Sequence, residues 1–375
     1  MINSLADTVT LRNGVKMPGI GFGTYKSTEG NDAEESVREA IRLGMRHIDC
    51  ASFYKNEEGV GRGIAAALSG EIFDAAAEAD GAADGGALQE DDAAAEADGA
   101  ADGGTLSRSD LFITSKVWTT DKAYDDVIRS CRESLMRLGL EYLDLLLIHW
   151  PADDHAYPDW KEINFDTWRA FMDLYKDGFV RAIGVSNYWP EHIEPLMDLE
   201  VPPMVDQIEY HPGYMQNGCT AVLDNYRKTY YAERAGMPYD PNDRIRTEYT
   251  LEECTPCNNS SIANIRSGFC QDDVPAYCKS RGIIVEAWSP LGRAKVLQDP
   301  LLISLAEKYG RTASQICLRW ELQHEIVPLP KSVHADRIKE NTEIFDFDLS
   351  AEDMAAIDAM PITGFSTHTP KDVPW

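Results

Sequence analysis

The sequence predicts an α/β fold, a (β/α)8 TIM barrel carrying two long insertions. Three observations lead there. Eight short apolar runs recur along the chain, amphipathic helical stretches fill the gaps, and polar residues with reactive side chains stand where the runs end. Apolar runs this short suit strands buried on both faces of a parallel sheet. Eight of them in βα alternation imply a barrel or a large doubly wound sheet.

Taken in order, the expected strands are 19–23, 46–50, 111–115, 143–149, 181–185, 204–208, 283–287 and 325–329. They include the runs LFIT, LDLLLI, IIVEAW and EIVPLP. Helices are expected at 32–43 behind an Asn31/Asp32 cap and at 121–138 behind Thr120/Asp121, because short polar side chains satisfy the first free amides of a helix. Others are expected at 165–177, 189–198, 272–281 and 334–343. A dinucleotide-binding doubly wound sheet would carry a G-x-G-x-x-G fingerprint after its first strand. Gly19-Ile-Gly21-Phe-Gly23 and Gly59-Val-Gly61-Arg-Gly63 look superficially similar, but neither has the third glycine at the required spacing. A Rossmann domain is not supported.

Two tracts interrupt the rhythm. Residues 70–107 contain DAAAEADGAADGG twice, at 74–86 and 92–104, with almost no large apolar residue. Such a composition buries too little surface to offset its ordering entropy, so an acidic, disordered loop is expected. Residues 214–270 are polar and aromatic and hold Cys219, Cys254, Cys257 and Cys270. Cys254-Thr-Pro-Cys257 has metal-ligand spacing, yet one such pair does not make a site, and unpaired thiols with no metal are expected. Without both tracts about 280 residues remain, a usual size for a single barrel, so 1–375 is read as one domain.

The chain of 375 residues has 63 acidic against 35 basic side chains, a formal charge of −28. The tract 70–107 holds eleven acids and no base, which leaves −17 for the rest. That field disfavours nucleic acid and anionic membranes. No apolar stretch reaches the length of a membrane span, and no basic head precedes an apolar run at the start. A soluble, cytoplasmic monomer with reduced thiols is expected.

The informative polar residues close successive strands. Asp49 ends the second, with Tyr54 just beyond; Lys116 ends the third and His149 the fourth. Carboxyl-terminal strand ends converge on one face of a barrel, where active sites form. Reducing a carbonyl needs a hydride on carbon and a proton on oxygen. A phenol with an ordinary pKa of about 10 stays protonated at pH 7. A nearby ammonium stabilises its phenolate and makes it a better acid. Asp49 would hold Lys116, and His149 would orient the carbonyl oxygen. Tyr25, Phe53, Trp118 and Trp150 follow strand ends and are expected to line the substrate mouth.

GMRHIDCASFYKNEEGVG, Gly44 to Gly61, resembles the first signature of the aldo-keto reductases, especially the short, diketogluconate-reductase-like bacterial members. The resemblance covers nearly everything except 70–107 and 214–270. It implies a tetrad of Asp49, Tyr54, Lys116 and His149 serving NADPH-dependent reduction of an aldehyde or ketone. It further implies that Gly23, Thr24, Ser186, Asn187 and Gln207 surround the nicotinamide end, with Trp288 stacked on the ring. Ser289, Leu291 and Gly292 would follow the pyrophosphate. Lys331, Ser332, Val333 and Arg337 would grip the 2′-phosphate, and Glu340 and Asn341 the adenine. Two cations, a hydroxyl and a helix amino-terminus suit a phosphate. The competing reading on the same barrel is a regulatory or scaffold protein that binds NADPH with little turnover.

Overall fold

The computed structural model describes residues 2–29, 31–71, 106–154, 156–216, 273–360 and 370. Beyond their edges, the tracts 70–107 and 214–270, and with them the disorder and metal-pair expectations, lie outside the described residues.

Eight parallel strands follow one another in chain order: β3 (Phe22–Gly23), β4 (His47–Asp49), β5 (Phe112–Val117), β6 (Leu145–Ile148), β7 (Ile183–Ser186), β8 (Val205–Glu209), β9 (Ile284–Trp288) and β10 (Val327–Pro328). The two end strands meet through backbone bonds from Gly21 N to Pro328 O and from Gly23 N to Pro330 O, both 3.0 Å. The sheet therefore curls into a (β/α)8 barrel. Pro328 and Pro330 accept there but have no N–H to give, which keeps the last seam short. A Cβ on Gly21 would stand 2.5 Å from Leu329 Cδ2 and 2.7 Å from His47 Nδ1, and one on Gly23 would stand 3.0 Å from Leu329 O. These glycines serve barrel closure, which explains a glycine run with no nucleotide fingerprint.

A hairpin of β1 (Thr8–Thr10) and β2 (Lys16–Pro18) precedes the barrel and was not expected from the sequence. Its turn is set by Gly14 at φ +87°. Arg12 bonds Arg281 O and Asn13 Nδ2 donates to Arg181 O at 2.9 Å, both just ahead of strand starts. The hairpin thus sits under the amino-terminal ends of the strands, opposite the face that gathers the polar residues.

The helices are α1 (Asn31–Arg42), α2 (Glu57–Ser69), α3 (Tyr124–Leu138), α4 (Trp160–Lys176), α5 (Pro190–Met197), α6 (Val274–Ser280), α7 (Pro300–Tyr309), α8 (Ala313–Gln323), α9 (Ala335–Thr342) and α10 (Ala351–Asp358). Two expected caps are corrected. Asn31 is already helical, and α3 starts at Tyr124 behind Ala123 rather than at Thr120/Asp121. Asp121 N bonds Trp118 O at 3.0 Å, so this stretch is spent on a turn off the strand end. α4 begins five residues earlier than expected, at Trp160. α2 has no counterpart among the expected helices, and neither do α7, α8 and α10. Each of the last three carries a cap: Asp299 on Leu301 N, Thr312 on Gln315 N, and Ser350 on Asp353 N.

Cys50, Cys131, Cys278 and Cys317 are buried free thiols. Glu321 on α8 is fully buried, and neither carboxylate oxygen has a hydrogen-bond partner among the described residues. Burial holds its carboxyl well above the usual carboxylate range. An acid with a raised folded pKa contributes best below its unfolded value and loses ground as pH rises. Glu321→Met removes the unpartnered group at similar volume and is expected to stabilise the protein by about 1–3 kcal/mol at pH 7. Melting curves at pH 7 and pH 4 check this, the gain shrinking at the lower pH. A loss of stability at pH 7 would show a concealed role for the carboxylate.

Candidate active site

β4 and β5 are neighbours in parallel register, with Asp49 opposite Thr114. That register sets Asp49 and Lys116 side by side at the carboxyl ends. Lys116 Nζ donates to Asp49 Oδ1 at 2.6 Å and Oδ2 at 2.8 Å, to Cys50 O at 3.0 Å and to Tyr54 Oη at 3.3 Å. The ammonium is fully buried, with all its protons placed. Tyr54 follows β4 in a single 3-10 turn, Ser52–Tyr54, which the left-handed Lys55 terminates at φ +53°. The His149 ring stands over the same phenol, centroids 5.7 Å apart and planes at 78°. The structure therefore brings together Asp49, Tyr54, Lys116 and His149 from the ends of three successive strands.

Burial opposes the Lys116 charge, but Asp49 and the Tyr54 hydroxyl outweigh it and leave the ammonium more firmly protonated than an ordinary lysine. Burial, and then Lys116, pull His149 well below the normal imidazole range, so it is neutral at pH 7. A neutral ring still offers one N–H, and its Nδ1 is buried with no partner among the described residues. For Tyr54 the expected acidification is reversed in sign. Lys116 does lower its pKa, but burial raises it more, to about 12. The phenol holds its proton throughout the physiological range.

Three of the four expected mouth aromatics surround this group. Phe53 and Trp118 stack at 3.8 Å, Trp118 meets His149 edge-on at 4.9 Å, and Tyr25 lies 5.0 Å from Tyr54. Tyr25 and Phe53 are exposed, as a rim requires. Trp150 is buried and makes no ring contact with the cluster.

Several expected cofactor groups are engaged with the protein. The Thr24 hydroxyl is buried and donates to Asp49 O at 2.9 Å, so it tethers β3 to β4. Ser186 Oγ donates to Gln207 O at 2.7 Å. Asn187, left-handed at φ +62°, donates to His149 O at 3.0 Å and accepts from Trp288 Nε1 at 2.9 Å. Gln207 Nε2 bonds Asp49 Oδ2 and Glu286 Oε2, each at 2.9 Å, so both its protons are committed to carboxyl groups. Glu340 accepts from Thr312 Oγ1 at 2.5 Å, which diverts it to the α8 cap, and Asn341 is buried near the end of α9.

The groups expected to meet phosphates lie in two stretches, after β9 and around the start of α9. Ser289, Gly292, Arg293 and Ala294 all have positive φ, with Leu291 half-buried between them. Ser332 Oγ accepts from His334 N at 3.0 Å just ahead of α9, beside the exposed Val333. Arg337 is exposed, with no side-chain hydrogen bond or ion pair among the described residues. Lys331 Nζ donates to Lys26 O at 3.3 Å, and burial together with the Lys26 charge lowers its pKa. Lys26 is thus a further cation at this edge. Its place after the first strand, far in the chain from Lys331, hides this neighbourhood from the sequence alone.

The chain belongs to the aldo/keto reductase family, whose model matches residues 19–79, 88–227 and 263–362. The breaks at 80–87 and 228–262 fall inside the two tracts that interrupt the βα rhythm. Glyoxal reductase of Bacillus subtilis is 39% identical over 361 residues, covering 96% of this chain and 95% of the relative. The 9,11-endoperoxide prostaglandin H2 reductase of Trypanosoma cruzi is 32% identical, covering 96% and 93%. Among solved structures, an aldo/keto reductase from Brucella melitensis superposes with a TM-score of 0.63 at 31% identity, covering 93% and 97%. A Bombyx mori aldo-keto reductase in complex with NADP gives 0.66 at 27%, covering 100% and 96%.

Proposed function

We propose that this protein reduces an aldehyde or ketone to an alcohol with NADPH, Tyr54 acting as the general acid. The observation that carries the reading is Lys116, clamped by Asp49 and pointing its ammonium at the Tyr54 hydroxyl. When bound, NADPH supplies the hydride. The neutral His149 donates a hydrogen bond to the carbonyl oxygen and aligns it. As the carbon accepts hydride, charge builds on that oxygen, and Tyr54 Oη passes its proton across. Lys116 then faces a phenolate, which it stabilises until water returns the proton. A phenol near 12 remains a far stronger acid than an aliphatic alcohol, so the transfer runs downhill despite burial.

Trp288 would stack on the nicotinamide, and the Ser289–Gly292 turn would cradle the pyrophosphate. Lys331, Ser332 and Arg337, with Lys26 beside them, would hold the 2′-phosphate. Arg337, unpaired among the described residues, is the group such a phosphate would complete. Arg337→Ala is expected to cost about 1.5–3 kcal/mol of NADPH binding, more than tenfold in Kd, and little of NADH binding. Fluorescence titration with each cofactor checks this, and equal losses for both would remove the phosphate assignment.

The proposed protein is a soluble cytoplasmic monomer with one barrel domain. No helix among the described residues is long and apolar enough to cross a membrane. The test is NADPH oxidation against a panel of aldehydes, ketones and keto sugars. Glyoxal heads it because one relative reduces that compound by name. Binding of NADPH without turnover on any carbonyl would favour the scaffold reading.

A further inference from the structure

Behind the tetrad, the barrel interior holds a second carboxyl that the reaction as drawn does not use. Glu286 lies on β9 directly opposite Gln207 on β8, and it is fully buried. Its Oε2 accepts from Gln207 Nε2 at 2.9 Å, and the same amide donates to Asp49 Oδ2 at 2.9 Å. Its Oε1 has no hydrogen-bond partner among the described residues and stands 3.8 Å from His47 Nε2. Two carboxyl groups thus share one amide, and one of them holds the Lys116 ammonium.

We infer that Glu286 is a positioning residue, which fixes Gln207 against Asp49 and, through its protonation state, sets the charge standing behind Lys116 and Tyr54. The inference rests on the reductase reading of that tetrad. From β4 come Asp49 and His47, from β5 comes Lys116, from β8 Gln207, and β10 places Val327 in register. Burial pushes Glu286 up to about 8, with Asp49 adding to the shift. Burial, and then Lys116, bring His47 down to about 3, so it is neutral and offers Glu286 no counter-charge. Below pH 8 the site therefore carries one carboxylate against one ammonium. Above it, a second anion joins Asp49, phenolate formation at Tyr54 is opposed, and proton donation weakens.

The expected result is a fall in kcat for reduction as pH rises through about 8, with KM little changed. Glu286→Gln keeps an acceptor for Gln207 and cannot ionise. It should retain a wild-type rate near pH 6.5 and lose the fall. Glu286→Leu strands a buried amide proton and should lower kcat about tenfold at every pH.

Two readouts need no turnover. Carboxyl carbon resonances of labelled glutamate in the apoprotein should include one titrating near pH 8. It should be absent in Glu286→Gln and shifted to lower pH in Asp49→Asn, where the neighbouring charge is gone. Folded Glu286 is raised above its ordinary 4.5, so its contribution to stability is full below 4.5 and lost as pH climbs to about 8. The Tm of Glu286→Gln should accordingly fall less than wild type over that range. A pH–rate fall that survives in Glu286→Gln, or equal kcat for the Gln and Leu variants, overturns the positioning role. A carboxyl that titrates near 4.5 overturns the charge coupling. No carbonyl turnover in any form, wild type included, overturns the reductase reading itself, while the resonance and Tm measurements still decide whether Glu286 is coupled to Asp49.

Discussion

Tyr54→Phe is expected to lower carbonyl turnover by about 10²–10⁴-fold, the range over which a positioned acid contributes. The substitution deletes one oxygen and leaves the ring. The tilted contact with Tyr25 and the edge contact with His149 involve that ring and survive. Lys116 loses only its longest acceptor, at 3.3 Å, and keeps Asp49 and Cys50 O. Folding and NADPH affinity should therefore stay close to wild type, and the loss should fall on kcat. Steady-state kinetics beside a cofactor titration separates the two. Turnover within about threefold of wild type would show that the proton comes from elsewhere, His149 being the nearest alternative donor. With Tyr54 pushed up to about 12, its own ionisation leaves no mark on the rate near neutrality. An alkaline fall near pH 8 must belong to another group.

The barrel was legible in the sequence because its strands lie in short apolar runs, three of which lead into Asp49, Lys116 and His149. Every expected strand overlaps an observed one; four contain it, while β5, β7, β8 and β9 run one or two residues past the expected end. The hairpin beneath the barrel was hidden, since Thr8–Thr10 and Lys16–Pro18 are too short and too polar to show an alternating pattern. Start signals misled at α3, where Thr120 and Asp121 are good caps that a turn consumes first. Of the site, Asp49, Tyr54, Lys116 and His149 could be read because their roles follow from residue type and strand position. The partners of Gln207 could not. That Gln207 faces Glu286 depends on the register of β8 against β9, and that its amide also reaches Asp49 depends on the barrel closing. Glu286 was in plain sight within EAWSPLG, and a charged residue inside a strand buried on both faces was the signal that could have singled it out. The sign of the Tyr54 shift was out of reach for a related reason. It depends on the balance between burial and one ammonium, and sequence gives the ammonium but not the depth.

Lys116→Met is expected to destabilise the protein by about 3–5 kcal/mol and to abolish reduction. The ammonium side chain has no exposure and Asp49 almost none, so the pair lacks the water that normally shares its charge. Removing the cation leaves a buried carboxylate whose remaining side-chain donor is the Gln207 amide. Asp49→Asn together with Lys116→Met removes both charges, and most of the lost stability should return, because replacing a whole buried pair is often close to neutral. Activity should not return with it, since Tyr54 still lacks the ammonium that stabilises its phenolate. Denaturant melts on the two single variants and the double variant, with turnover measured on each, check the argument. A Lys116→Met loss below about 1 kcal/mol, the scale of an exposed pair, would mean that water reaches the site. Recovery of turnover in the double variant would mean that Lys116 is needed to neutralise Asp49 and has no direct part in the chemistry at Tyr54.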